Sequence, residues 1–285
     1  QKFWGMAPSA LTTEWVSVRH PRPTLDEVLE GALCDQTKGF GINAEFQYPE
    51  RGGFGAIGDA LAAAVTDRIR LGMRVTRIDP RRRQIEFNHR DVVPYDQVLC
   101  TIPLPEVVRV LADPPAEVVE AASRLRCNRI LVVNLGINRP GITNKHWIYY
   151  PEREFSFFRI SFPFNKGPHM VPPGCSSVSA EVAFGPYDAW PPSSDEMVAR
   201  VEADLRRAGI LEPADAVVFA EVIPIKYGYV VFDTDRRPAV KTIHTYLEAH
   251  DIHPCGRYGE WAYLWSDEAI LSGRKAAERL VGGRR

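Results

Sequence analysis

YPERGGFGAIGDALA, residues 48–62, sets Gly53, Gly55 and Gly58 in the spacing G-x-G-x-x-G. That spacing is the dinucleotide-binding fingerprint, and its surroundings favour it at first sight. A helix-like run follows (Ala60, Leu61, Ala64, Val65), and Asp79 closes a strand-like segment about 20 residues on, where a ribose-binding acid is expected. The physical requirements of a phosphate loop argue otherwise. Such a loop leaves a central parallel strand, buried on both faces and reading as an unbroken Val/Ile/Leu run. What precedes Gly53 is NAEFQYPERG. Pro49 has no N–H for a central ladder, and Glu50 and Arg51 do not suit a doubly buried strand. The stretch reads as a tight turn into a helix, with glycines that admit close backbone approach.

The bulk properties bound what remains. The chain has 285 residues, enough for one large or two medium domains with a substantial core. A net charge of −1 gives no pull toward nucleic acid or an anionic membrane. No apolar run approaches the length of a membrane span. Cys34, Cys100, Cys127, Cys175 and Cys255 are scattered and odd in number, which suits reduced thiols in the cytoplasm and neither a disulfide frame nor a zinc site. His250 and His253 flank an expected turn and read as surface histidines. The chain opens on QKFWGMAPSA, in mid-motif, as if cut from something longer.

Along the chain, helices and strands mix. Pro23 and Thr24 precede a helix with Leu25, Val28, Leu29 and Leu33 on one face. Residues 68–101 alternate strands and turns: IRLGMRVTRID, RRRQIEFNHRD, then the apolar VLCTIP. Residues 105–125 read as one or two helices. RILVVNLGI, HWIYYPE, FSFFRISFP and SSVSAEVAF read as strands separated by Pro, Gly or Asn. Residues 193–209 form an amphipathic helix, AVVFAEVIPIKYGYVVF reads as a strand pair, and SDEAILSGRKAAERLVGG closes the chain as a helix with Ser266 as N-cap. There is no internal repeat. The pattern is α/β, with α+β mixing, in two interleaved modules.

GRYGEWAYLWSDEAILSG, residues 256–273, carries the strongest chemical signal: glycines, an arginine and aromatics beside a helix start. Free N–H groups at a helix N-terminus suit a pyrophosphate or the carbonyl edge of a flavin. Gly256 and Gly259 let backbone approach a flat ligand, and Arg257 can fork onto a phosphate. The same stretch also reads as an aromatic-rich turn into a terminal helix.

This segment resembles the C-terminal FAD-binding segment of the amine oxidase, protoporphyrinogen oxidase and UDP-galactopyranose mutase group of flavoproteins. YPERGGFGAIGDALA is similar to that group's glycine-rich turn, GMRVTRID to its adenine-side strand, and VLCTIPLP to its TxP strand, in the same order along the chain. The resemblance implies FAD as cofactor, with Gly53, Val75, Thr101, Gly256, Arg257, Asp267 and Ser272 as binding positions. It also implies that residues 52–58 shape a turn beside the flavin and do not hold its pyrophosphate.

Within the group, the likeness to the UDP-galactopyranose mutases is the fullest. KFWGMAP with EWVSVRHPRP, GINAEFQYP, HWIYYPEREFSFFRISFPFN and YGYVVF each resemble a segment of theirs. By that resemblance Trp4 lies near the uracil or sugar, Arg19 and Arg159 hold the diphosphate, and Asn43, Tyr149, Tyr227 and Tyr263 line the same cleft. Residue chemistry agrees: guanidinium forks suit a diphosphate, and tyrosines suit a sugar nucleotide. Arg159 between FSFF and ISF also reads as an edge-strand charge, and Arg19 beside His20 and Pro21 is open to either reading. No side chain stands out as a catalytic base, so the flavin would carry the chemistry.

The group's N-terminal dinucleotide unit and its glycine/histidine flavin loop have no counterpart here, and SDEAILSG is nearer the protoporphyrinogen-oxidase-like members. The expectation is therefore an incomplete FAD-binding domain interleaved with a substrate domain of mixed or antiparallel sheet and helices. Its boundaries would be 1–48 and 113–250 for the substrate domain, and 49–112 and 251–285 for the FAD-binding domain. The expected substrate is a small molecule, a nucleotide sugar in a mutase. The alternatives are an FAD-dependent oxidase of amines or porphyrinogens and a non-catalytic fragment without cofactor.

Overall fold

The alternation written into SSVSAEVAF governs the larger half of the molecule. In the computed structural model, which describes residues 2–16, 23–34, 46–190 and 193–282, these residues form one strand of an antiparallel sheet, and every second side chain from Val178 to Val182 is buried. Arg19 and Asn43 lie outside the described residues.

The elements follow in this order. Helix α1 spans Leu25–Leu33 and α2 Gly55–Ala63; strands β1 to β4 span Val75–Asp79, Gln84–Phe87, Asp91–Pro94 and Val98–Cys100. Helices α3 (Leu104–Val110) and α4 (Ala116–Arg124) come next, then strands β5 (Arg129–Ile137), β6 (Trp147–Tyr149), β7 (Arg159–Ser161) and β8 (Ser176–Phe184). The chain continues through α5 (Ser194–Arg207), β9 (Val217–Ile225), α6 (Arg236–Glu248) and β10 (Ile252–Pro254), a helical turn at Gly256–Gly259, and α7 (Ser266–Gly282). The fold is mixed α/β, as the pattern of elements predicts.

Three sheets result. β1-β2-β3 is an antiparallel meander, β4 and β10 pair in parallel, and β6-β7-β8-β5-β9 is a five-stranded sheet whose pairings are all antiparallel. A parallel pair needs a long crossover, and here 151 residues of chain separate Cys100 from Ile252, including the whole five-stranded sheet. One buried cluster (Leu104, Val107, Val118, Ile243, Ile252, Trp261) surrounds the parallel pair. A second (Val133, Leu135, Ile160, Val178, Val201, Leu205) lies between the large sheet and α5. Ser193 caps α5 by accepting from the Glu196 N–H at 3.1 Å, which satisfies one of the free N–H groups of the first turn.

Two expectations need correction. AVVFAEVIPIKYGYVVF holds one strand, not two: beyond Ile225 the chain follows residues 126–128, with Gly228 donating to the Asn128 carbonyl and the Tyr229 N–H to the Asn128 side chain. Ser266 is the first residue of α7 and not its cap; Glu268 accepts from the Trp265 N–H at 2.7 Å in its place. Leu25, Val28, Leu29 and Leu33 do share a face of α1, capped by a reciprocal Thr24–Glu27 pair, but all four are exposed among the described residues.

Candidate active site

The five-stranded sheet buries one face and leaves the other open. On the open face the register aligns Tyr149, Arg159, Glu181 and Val132 in one row across β6, β7, β8 and β5. The next row carries Trp147, Ser161, Ser179 and Asn134. Ser179 donates to the Asn134 side chain at 2.7 Å. Short polar side chains therefore floor this face beside the charged row.

Arg159 is the centre of that row. Its Nε donates to Glu181 Oε1 at 2.8 Å, its Nη2 to the Tyr229 hydroxyl at 3.3 Å, and its Nη1 to the Tyr149 hydroxyl at 3.4 Å. Burial works against its charge, but Tyr229, Glu181 and Tyr149 together hold its pKa above the ordinary arginine value. Tyr229 is buried, and burial pushes its phenol up, so it stays neutral and can donate. Tyr149 is 55% exposed. It also borders a cleft of about 840 Å³ walled by Phe3, Tyr150, Phe155 and Phe158 and fringed by Lys2 and Arg153, a size that suits a nucleotide.

An aromatic wall stands behind the row. Tyr263 meets Tyr229 edge-on at 5.4 Å and Trp4 at 6.1 Å. Trp4 is only 3% exposed, enclosed by Phe3, Trp15, Phe232 and Tyr263. The structure thus brings Tyr149, Arg159 and Tyr263 to one region and keeps Trp4 inside its wall. Tyr227 turns elsewhere. Its hydroxyl donates to Glu106 on α3 at 2.7 Å, and its ring packs on Tyr258 and Trp261. Tyr229, two residues on, is the tyrosine that reaches Arg159. Glu181 and Tyr229 were not singled out from sequence. Glu181 had a signal, since it is the only carboxylate in the alternating run SSVSAEVAF; its pairing with Arg159 depends on a cross-strand register that the sequence does not spell out.

Glu106 also accepts from Lys226 and Arg109, and these hydrogen bonds, Lys226 first, hold its pKa at about 2 against an ordinary 4.5. A carboxylate depressed in the folded state adds stability above its unfolded pKa and loses it as pH falls toward the folded one. Denaturation in urea should show stability falling between pH 4.5 and about 2, with that portion of the slope flattened in Glu106→Gln.

The second group of expected residues gathers around the parallel pair. Ligands of parallel sheets bind beyond the carboxyl ends of the strands; Thr101 follows the last residue of β4, Cys100, and β10 leads to Gly256. Gly256 has φ +72°, and a Cβ on it would meet only the Thr101 methyl, at 3.8 Å. Its N–H donates to Ser272 on α7 at 2.8 Å, and Ser272 donates on to Glu260. Arg257 donates to the carbonyls of Leu264 at 2.9 Å and Gly228 at 3.3 Å, among the rings of Tyr229, Tyr258 and Tyr263. Its Nε is buried with no partner among the described residues. Arg257 thus lies between this turn and the Arg159 row. Asp267 is exposed in the first turn of α7, and Val75 opens β1. Gly53 sits in a turn where Gly52 and Gly53 both have positive φ. Residues 46–49 before it form no strand, and β1 is antiparallel, with Asp79 accepting from the Arg82 N–H in a turn. The fingerprint spacing at 53–58 is therefore not a phosphate loop. No metal-binding cluster of His, Cys, Asp or Glu occurs among the described residues, and no helix there is long and apolar enough to cross a membrane.

Residues 14–281 match the model of a family described as flavin containing amine oxidoreductase. Among solved structures, reduced UDP-galactopyranose mutase superposes with a TM-score of 0.90 at 24% identity, covering 99% of this chain and 63% of that one. A protein assigned as a protoporphyrinogen oxidase, from Exiguobacterium sp. 255-15, gives 0.62 at 17% identity, covering 90% and 55%. Putrescine oxidase bound to putrescine gives 0.60 at 17% identity, covering 81% and 53%. This chain spans less than two thirds of each of those chains, and at such identities the likeness is one of fold. FAD is the family's cofactor, and the open Thr101–Gly256 edge and the orphaned Arg257 Nε fit one end of it. No strand precedes the glycine-rich turn at 53–58 among the described residues, so that turn does not supply a cradle for its pyrophosphate.

Proposed function

Because the chain belongs to the family of flavin containing amine oxidoreductases, we propose that it forms the substrate-binding part of an FAD-dependent enzyme whose substrate is a nucleotide diphosphate sugar. One observation carries this reading: Arg159 stands on an open polar sheet face between the Tyr149 and Tyr229 hydroxyls, beside an aromatic-walled cleft. A guanidinium among tyrosine hydroxyls suits a diphosphate, and aromatic walls suit a base or sugar. The resemblance to UDP-galactopyranose mutase makes a UDP-hexose the first candidate.

In that reading Arg159 and Tyr149 orient the diphosphate, which becomes the leaving group when the anomeric bond opens. Tyr229 and Glu181 keep the guanidinium in place. Thr101, Gly256 and Arg257 would hold one edge of the flavin, with Ser272 fixing the Gly256 backbone. When bound, reduced FAD would supply the nucleophile for exchange of the sugar's ring form. The second buried cluster, drawn wholly from residues 131–211, supports the sheet part of the substrate domain, and the domain division at 48, 112 and 250 belongs to the same proposal. So does a cytoplasmic location, in keeping with five unpaired cysteines.

Equilibrium dialysis against UDP, UDP-galactose and putrescine tests the substrate class. UDP and UDP-galactose should bind and compete with each other, and putrescine should not. Binding of the diamine without the nucleotides would favour an amine-oxidising enzyme and reassign Arg159 to a structural role.

A further inference from the structure

The segment that brings Tyr229 to Arg159 is fixed from two sides. On one side stands Asn128. Its backbone carbonyl accepts from the Gly228 N–H at 2.9 Å, and its side chain accepts from the Tyr229 N–H at 2.5 Å. Gly228 has no room for a side chain here: a Cβ on it would lie 2.5 Å from Asn128 Oδ1 and 2.9 Å from Ile130 Cγ1. On the other side stands Arg257, from the Gly256–Gly259 turn. Its Nη2 donates to the Gly228 carbonyl at 3.3 Å and its Nη1 to the Leu264 carbonyl at 2.9 Å. Its guanidinium carbon lies 5.2 Å from the centre of the Tyr229 ring, 5.1 Å from that of Tyr263 and 5.6 Å from that of Tyr258. One guanidinium therefore holds both the backbone just before Tyr229 and the Tyr229 ring itself.

We propose that Arg257 is a positioning residue of the diphosphate site: it holds Tyr229, and Tyr229 holds Arg159, so that the glycine turn sets the geometry of the sheet face. The assignment rests on the nucleotide-diphosphate reading of that face and gives Arg257 a task that reading does not. Three observations support it. First, the contacts are continuous. They run from Arg257 to the Gly228 carbonyl and the Tyr229 ring, and from the Tyr229 hydroxyl to Arg159 Nη2. Second, no carboxylate pairs with Arg257 among the described residues; its hydrogen bonds go to two backbone carbonyls and its charge lies against tyrosine rings. Two N–H bonds from one rigid fork fix the plane of the guanidinium, and the plane orients the rings packed on it. Third, the bonds made by the Tyr229 hydroxyl are long, 3.3 Å to Arg159 and 3.5 Å to Glu181 Oε2. Bonds at that length are close to lost, so a small displacement of the ring releases the guanidinium.

The test is a double-mutant cycle read by calorimetric titration. The wild-type chain, Arg257→Met, Tyr229→Phe and the double variant are each titrated with UDP and, separately, with uridine. Arg257→Met should weaken UDP binding by about three- to tenfold, the net worth of one hydrogen bond. Tyr229→Phe should cost a similar factor. The double variant should bind within about twofold of Tyr229→Phe, because residues that act through one contact are not additive. Uridine affinity should be the same in all four proteins. Losses that add in the double variant would give Arg257 its own contact with the ligand and overturn the assignment. Wild-type affinity for UDP in Arg257→Met would overturn it too, and so would equal losses of UDP and uridine, which mark a structural role. If Arg257→Met has no melting transition, Arg257→Lys takes its place in the same cycle under the same criteria. Failure of the wild-type chain to bind UDP at all would overturn the reading of the face itself, and the Arg257 assignment with it.

Discussion

Arg159→Ala should weaken UDP binding by about 1.5–3 kcal/mol, roughly 10- to 150-fold, because it removes charged hydrogen bonds to the diphosphate. The same change should lower stability, because Glu181, only 14% exposed, would lose the guanidinium that neutralises it. Breaking a fully buried pair costs about 3–5 kcal/mol; Arg159 retains 28% exposure, so a loss of about 1–3 kcal/mol is expected after solvent screening. The two effects separate in a double variant. Arg159→Ala with Glu181→Ala should recover much of the stability and none of the UDP affinity. Urea denaturation and calorimetry on the two variants give both numbers. UDP affinity restored in the double variant would assign Arg159 to the architecture of the sheet alone.

The second large effect is steric. A Cβ on Gly259 would lie 2.6 Å from the Cys100 carbonyl oxygen, and backbone has no rotamer with which to yield. Gly259→Ala must push the Gly256–Gly259 turn away from β4, and overpacking of this kind costs about 1–3 kcal/mol. Gly273 is the internal control. It lies within α7, and a Cβ there would meet nothing within 4 Å. Gly273→Ala should stabilise by about 0.5–1 kcal/mol through lost unfolded-state freedom. Opposite signs for the two glycines in one denaturation series check the close packing of the turn that carries Gly256 and Arg257. Equal and small effects would contradict it.

Much of the architecture is legible in the sequence where the information is local. The alternation in SSVSAEVAF, the capped amphipathic run at 194–207 and the terminal helix all form as their periodicity predicts. The fingerprint spacing at Gly53 is correctly refused on local grounds too, because Pro49 and Glu50 cannot belong to a buried parallel strand. What was not legible depends on partners distant in sequence. YGYVVF has strand composition, yet Asn128 captures the backbone at Gly228 and Tyr229, and the second strand does not form. That capture also decides which tyrosine faces Arg159: Tyr227 is drawn to Glu106, and Tyr229 takes the position. Glu181 looks like an ordinary surface charge until the register of β7 against β8 brings it to Arg159. The apolar stripe of α1 shows the converse case, where periodicity names a face correctly and the described residues leave it exposed.

The central claim is that the open face of the five-stranded sheet takes a nucleotide diphosphate. A crystal structure of this chain soaked with UDP tests it most directly. The diphosphate is expected within hydrogen-bond distance of Arg159 and the Tyr149 hydroxyl, with the base toward the cleft walled by Phe3, Tyr150 and Phe158. UDP bound at the Gly256–Asp267 turn, with the Arg159 face empty, would contradict it.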